Sequence, residues 1–140
     1  MSSFEALKSF ELPFGTVDVH KRFVVVTLDK GADRQPEPFY AAVGEIVLAE
    51  FTEPWGYVGN RANGTAADPS LLARAKMQMP LFCSFAVVAY SHATVDFFNL
   101  EKSVLGPLPN ALFFDLEEAL EWTHRIVGEA RREAISKKEA

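Results

Sequence analysis

The residues best suited to chemistry lie in one polar stretch, residues 60–69, which reads Asn-Arg-Ala-Asn-Gly-Thr-Ala-Ala-Asp-Pro. A guanidinium such as that of Arg61 can hold a carboxylate or a phosphate through two parallel hydrogen bonds. Amide and hydroxyl side chains beside it can add further hydrogen bonds. The alternative is that Asn, Gly and Asp simply form turns here and that Arg61 is solvated. On the first interpretation, the stretch is a binding loop made of Asn60, Arg61, Asn63, Thr65 and Asp68.

The position of this stretch along the chain favours the binding interpretation. It follows a short predicted strand, residues 57–59, and precedes a predicted helix. Asp68 can accept hydrogen bonds from the first-turn amides of that helix, and Pro69 fits the first helical position because it has no amide hydrogen. Ligands of open α/β sheets tend to bind where strands end and helices begin, and the free amides there favour anions.

Motifs of catalysis are absent elsewhere in the chain. The sequence contains no Gly-rich phosphate loop, no Gly-x-Ser-x-Gly, no paired cysteines and no His-Glu-x-x-His. The histidines, His20, His92 and His124, have no second ligand at helical or strand spacing, which argues against a metal site. His92 could act as a base beside Ser91, but no nearby carboxylate would orient it, so a role at the surface or beside a helix cap is favoured. We predict no catalytic residue, no metal, no cofactor and no enzymatic activity.

Composition and charge narrow the class of protein. The 140 residues, 49% of them hydrophobic and 24% charged, predict one globular domain over residues 1–140. A net charge of -5 argues against nucleic acid as a partner. Cys83 lies in the longest apolar run, residues 81–88, where it is predicted to fill the core, and this run is well short of the roughly 20 residues of a membrane span. With no secretory signal at the start of the chain, we expect a cytoplasmic location.

Apolar periodicity predicts an α/β domain with the element order β-β-α-β-α-β-α-β-α, in which helices pack against a mixed sheet. Ser91 and Asp115 are predicted to cap the last two helices, and Gly106 with Pro107 is predicted to end the first of these. About 12 residues at the amino terminus and about 8 at the carboxyl terminus are expected to be loose. The predicted strands are residues 16–20, 23–28, 57–59, 82–89 and 111–114.

This order of elements, with a last helix that opens Asp115-Leu116-Glu117-Glu118-Ala119-Leu120-Glu121-Trp122, resembles the SpoIIAA-like, or STAS, domains of anti-sigma-factor antagonists. The resemblance covers residues 16–126. It implies a regulatory module that a partner kinase phosphorylates on a Ser or Thr, within an Asp-Ser-Ser/Thr-Gly-type turn before a helix. The matching residues, 60–70, lack that turn motif. Their only hydroxyls, Thr65 and Ser70, are the candidate phosphorylation sites.

Three classes of function follow from these observations. The resemblance implies a non-enzymatic regulatory module that docks a protein partner through residues 60–70 and the adjoining helix. The alternative is a protein that binds a small apolar or lipid-like ligand in a pocket lined by aromatic side chains, although such side chains more often fill the core. An enzyme assembled from distant residues is the third class. The aromatic residues considered for the pocket are Phe39, Trp55, Phe97, Phe98 and Trp122.

Overall fold

The structure, a computed structural model, describes residues 4–30, 37–63 and 69–139. Within these ranges the chain forms six strands and four helices, which confirms the α/β class. In chain order the elements are β1 (Lys8–Leu12), β2 (Gly15–Val19), β3 (Phe23–Leu28), α1 (Glu37–Glu50), β4 (Trp55–Asn60), α2 (Pro69–Gln78), β5 (Phe82–Val88), α3 (His92–Leu105), β6 (Asn110–Phe113) and α4 (Leu116–Glu139).

The strands form one mixed sheet in the order β1-β2-β3-β4-β5-β6. The first three strands pair antiparallel, as consecutive hairpins. Strands β3 to β6 pair parallel, so each needs a helical crossover to reach the next. Because crossovers of this kind are right-handed and all step in the same direction along the sheet, α1, α2 and α3 must lie on the same face.

The two faces of the sheet therefore have separate cores. On β3, Val24 and Val26 join a cluster with side chains of α1, α2 and α3. Phe23 and Val25 alternate with them and join a second cluster with α4. Strand β5 shows the same alternation, and a strand covered on both faces is expected to be apolar along its whole length.

The structure corrects the predicted element order, because it adds a strand at the amino terminus. Residues 8–12, which we expected to be loose, form β1 and pair antiparallel with β2. The turn between them is Pro13-Phe14, and Phe14 has φ of 78°. That backbone region normally selects Gly or Asn, so a Phe there gives no turn signal in the sequence. Helix α4 likewise extends to Glu139, through the segment expected to be loose.

The predicted starts of α3 and α4 and the predicted end of α3 are confirmed. Ser91 caps α3 by accepting a hydrogen bond from the amide of Thr94 at 3.4 Å, and Gly106 ends it with φ of 59°. Asp115 accepts a hydrogen bond from the amide of Glu118 at 3.2 Å and so caps α4. In the described ranges, none of the helices combines the length and apolar character needed to cross a membrane.

Candidate functional site

The candidate site lies at the edge of the sheet where the parallel strands end. Strands β3, β4, β5 and β6 run in the same direction, so their carboxyl ends meet at one edge. The amide of Ala89 donates to the carbonyl of Phe113 at 2.8 Å, which extends the pairing to the very end of β6. The residues that follow each strand are therefore neighbours at this edge, as the sequence-based argument requires.

Arg61, the centre of the predicted binding loop, holds a carboxylate of the protein itself. Its two terminal nitrogens donate to the two carboxylate oxygens of Glu101 on α3. Both side chains are enclosed, since Arg61 is 5% and Glu101 1% exposed. The predicted bidentate grip is therefore present, but its partner lies within the domain and not in a ligand.

Aromatic rings surround this ion pair. The guanidinium of Arg61 lies 6.0 Å from the ring centroid of Phe85, and Tyr57 stacks on Phe85 at 5.3 Å. Burial raises the pKa of Tyr57, while Arg61 opposes and Glu101 adds to that rise. Tyr57 is therefore a neutral hydroxyl at physiological pH. The group is a buried polar cluster within an aromatic layer.

Two further side chains of the loop, those of Asn60 and Asn63, also have internal partners. The hydroxyl of Tyr90 donates to the side-chain oxygen of Asn60 at 2.8 Å, which links the ends of β4 and β5. The side-chain amide of Asn63 donates to the carbonyl of Leu28 at 2.8 Å, which links the loop to the end of β3. These side-chain contacts connect the end of β4 to the ends of β3 and β5 and to α3. They are made by Asn60, Arg61 and Asn63.

The remaining predicted site residues fall in two groups. Thr65 and Asp68 lie outside the described residues. Ser70 is exposed in the first turn of α2. Cys83 is half-buried on β5, and burial raises the pKa of its thiol to about 11, so it is a thiol and not a thiolate at neutral pH.

The structure places His92 at the surface and His124 beside basic residues. His92 is exposed at the start of α3. His124 packs against Phe4, and the charged neighbours that affect its pKa are the basic residues Lys21, Arg22 and Arg131. Among the residues described, no group of three His, Cys, Asp or Glu side chains could hold a metal ion.

One cavity of about 40 Å³ lies between α1, α2 and the sheet, next to Tyr40, Trp55, Tyr57 and Phe85. Of the aromatic residues considered for a ligand pocket, Trp55 alone lines it. Phe39, Trp55 and Phe98 belong to the main core, and Trp122 packs against the core beneath α4. Phe97 is exposed on α3.

Large apolar side chains are exposed at and beside the carboxyl edge. Tyr90 and Phe114 follow the adjacent strands β5 and β6, and Phe114 is 71% exposed. Phe97 and Leu100 are exposed one turn apart on α3, the helix that begins at this edge. We call these four residues, Tyr90, Phe97, Leu100 and Phe114, the edge surface.

Sequence reasoning missed Glu101 and the edge surface. Glu101 lies on the inward stripe of α3 with Thr94, Phe98 and Leu105, all of them buried. A carboxylate at an inward helical position needs a cationic partner, because an unpaired buried charge is very costly. That signal was available in the sequence, whereas no feature of the sequence marks the apolar Phe97 and Leu100 as exposed.

Comparison of the chain with family models, with curated proteins and with solved structures finds no match.

Proposed function

We propose that this protein is a non-enzymatic, partner-binding module of STAS-like type that docks a protein through the edge surface. The proposal is supported by a difference between the polar and the apolar side chains at the carboxyl edge. Its polar side chains Asn60, Arg61 and Asn63 are used in internal contacts, while large apolar side chains beside them are exposed. Exposed apolar groups rimmed by polar residues are typical of protein interaction sites.

The charges around the edge surface favour a basic partner. Asp29, Asp96 and Asp115 are exposed at the end of β3, on α3 and after β6, and outnumber the exposed Lys30 and Lys102 beside them. The protein as a whole carries a net charge of -5. A partner segment with apolar side chains flanked by Lys or Arg would match the exposed apolar side chains of this edge and would complement its charge.

Support for the ligand-binding alternative is weaker. The cavity beside Trp55 has a volume of about 40 Å³. Pockets for drug-sized ligands have volumes of roughly 300–1,000 Å³. A lipid-like molecule would therefore need the helices to separate, and we do not propose such a ligand.

Phosphorylation of Ser70 is the regulatory part of the proposal, with Thr65 as the other candidate. Ser70 is exposed in the first turn of α2, where the amino end of the helix dipole favours an added negative charge. A phosphate adds about two negative charges near neutral pH. It would change the charge beside the docking edge and so alter the affinity for a basic partner.

Native mass spectrometry of the protein, expressed and isolated gently from its own source, tests the proposal. We expect a protein partner at fixed stoichiometry with the wild type. Phe114→Ser should raise the dissociation constant of the complex about 30-fold, because an aromatic anchor contributes on the order of 2 kcal/mol to an interface. Leu48→Ser is the matched control, since Leu48 is 70% exposed but lies on α1.

Each outcome decides part of the proposal. An uncomplexed protein, or a partner retained equally by Phe114→Ser, would refute docking through the edge surface. A phosphate mapped to Ser70 or Thr65 in the same spectra supports the regulatory switch. A complex that carries no phosphate under any growth condition would remove the switch and leave the docking module.

A further inference from the structure

A cluster of basic side chains lies at the opposite edge of the sheet, where the parallel strands begin. Arg22 directly precedes β3, and Arg131 on α4 donates to the carbonyl of Pro54, which directly precedes β4. We call this group the basic cluster. It comprises Lys21, Arg22, His124, Arg131 and Arg132.

Contacts between α4 and the β2–β3 turn hold the basic cluster together. Arg22 donates to the carbonyl of His124 at 2.9 Å. Arg131 donates to the carbonyl of Lys21 at 3.2 Å. The cluster is therefore built from two segments that are about a hundred residues apart in the chain, and hydrogen bonds from arginine side chains to backbone carbonyls fix their relative position.

Gly128 brings two guanidinium groups together at this point. A methyl group built on Gly128 would lie 2.7 Å from a terminal nitrogen of Arg22 and 3.6 Å from a terminal nitrogen of Arg132. Glycine inside a helix costs roughly 0.5–1 kcal/mol relative to alanine. Here the missing side chain leaves the space in which the guanidinium of Arg22 lies against α4.

Carboxylates lie beside this charge, since Glu129 and Glu133 share a surface groove with Arg132, but they do not all pair with the basic cluster. Arg131 has Glu53 at 3.9 Å, and the nearby Glu129 pairs instead with Arg125 at 3.8 Å. In the described part of the chain, no carboxylate forms an ion pair with Arg22 or Arg132. The pKa of His124 is lowered, first by burial and then by the nearby positive charges of Arg22, Lys21 and Arg131.

We propose that the basic cluster binds a phosphate-bearing anion, with Arg22 and Arg132 as its principal donors and Lys21 beside them. Two adjacent guanidiniums offer paired N–H donors that match the oxygens of a phosphate or diphosphate group. The net charge of -5 does not prevent this, because charges are screened beyond about 10 Å at 0.1 M salt. The phosphate could belong to a soluble phosphoester or to a lipid headgroup.

NMR titration of the histidine ring protons with inorganic pyrophosphate tests the proposal, with sodium chloride at matched ionic strength as the reference. Bound pyrophosphate neutralises the guanidiniums, so the pKa of His124 should rise more than it does in chloride. The ring signals of His92, at the opposite edge of the sheet, should not respond to pyrophosphate. Equal responses to pyrophosphate and chloride would mean salt screening alone and would overturn the proposal.

Variants separate a bound anion from a change in folding. Arg132→Gln removes one of the two principal donors and should weaken pyrophosphate binding about tenfold or more, since hydrogen bonds between charged groups are strong. Lys138→Gln, which removes an exposed positive charge from the same helix, is the matched control and should bind normally. Gly128→Ala retains every charge but displaces Arg22, and should also weaken binding. Unchanged affinity in both Arg132→Gln and Gly128→Ala would contradict the site.

Flotation with phosphatidylcholine vesicles that contain phosphatidic acid identifies the source of the phosphate. Vesicle binding that Arg132→Gln abolishes indicates a lipid headgroup. Pyrophosphate binding without vesicle binding indicates a soluble phosphoester. Failure of both probes overturns the proposal and leaves the docking function at the opposite edge unaffected.

Discussion

The ion pair between Arg61 and Glu101 is the most consequential contact between single residues in the described chain. It joins the end of β4 to α3 in an environment where both side chains are almost fully enclosed. Transfer of two charges from water is costly, and their mutual attraction repays that cost only with good geometry and further hydrogen bonds. Here the bidentate geometry satisfies both carboxylate oxygens, and the ring of Phe85 lies beside the guanidinium.

Removal of one partner should therefore be far more damaging than removal of both. We expect Glu101→Ala to lower the free energy of unfolding by about 3–5 kcal/mol, because it leaves Arg61 buried and unpaired. The double variant Arg61→Met with Glu101→Leu should recover most of that loss. Urea unfolding followed by circular dichroism measures both.

An exposed ion pair provides the control for this comparison. Arg74 and Glu37 pair at 2.8 Å on the surface, so Arg74→Ala should destabilise the fold far less than Glu101→Ala. If Glu101→Ala were no more destabilising than Arg74→Ala, the pair would not be buried as described. If the double variant were as unstable as the single one, packing and not charge would explain the loss.

Among the elements, α4 makes the closest approach to the sheet. It covers one face alone and contacts β3, β4, β5 and β6. The approach depends on Gly56, because a methyl group there would lie 2.4 Å from the hydroxyl of Ser84 and 2.6 Å from a methyl of Thr123. Gly56 therefore sets the distance between this helix and β4.

Substitution of Gly56 should push α4 away from the sheet. We expect Gly56→Ala to lower the free energy of unfolding by about 1–3 kcal/mol, the usual cost of an added group in a packed core. Gly59→Ala on the same strand is the control, since its methyl group would make ordinary contacts of 3.4 Å or more. Thermal unfolding compares the two, and equal melting temperatures would disprove the close approach at Gly56.

For the molecule as a whole, two histidines couple the stability of the fold to pH. Burial lowers the pKa of His20, with Asp18 opposing the change. Burial and the basic cluster lower the pKa of His124. The unfolded chain, with ordinary histidine pKa values near 6.5, therefore takes up protons more readily than the folded chain as the pH falls.

The stability that depends on these histidines should be complete above about pH 6.5 and should be lost as the pH falls below it. The midpoint of urea unfolding, measured from pH 7.5 to pH 5, should decrease across this range. The double variant His20→Phe with His124→Gln should flatten the decrease, whereas His92→Gln, at an exposed position, should not. A decrease that is the same in all three proteins would assign the effect to carboxylates.

Sequence reasoning predicted those elements whose signals are local. The caps at Ser91 and Asp115, the stop at Gly106 and the continuous apolar run of β3 each lie within a few neighbouring residues, so the pattern alone determines them. The antiparallel pairing of β2 with β3 is also local, because only a short turn separates the two strands. Strand β1 was missed because its turn places Phe14 where a glycine would normally mark the site.

What only the tertiary structure decided is which distant residues meet. Arg61 and Glu101 are 40 positions apart, and Arg22 and His124 are 102 apart. Such pairs result from the direction of the crossovers and from the placement of α4 on the second face of the sheet. The spacing of residues along the sequence reveals neither feature. The sequence by itself therefore determined the helices, the inner strands and the position of a polar loop. Only the packing of the sheet determined that Arg61 of this loop pairs with Glu101. The same packing brings the basic cluster together at the opposite edge of the sheet.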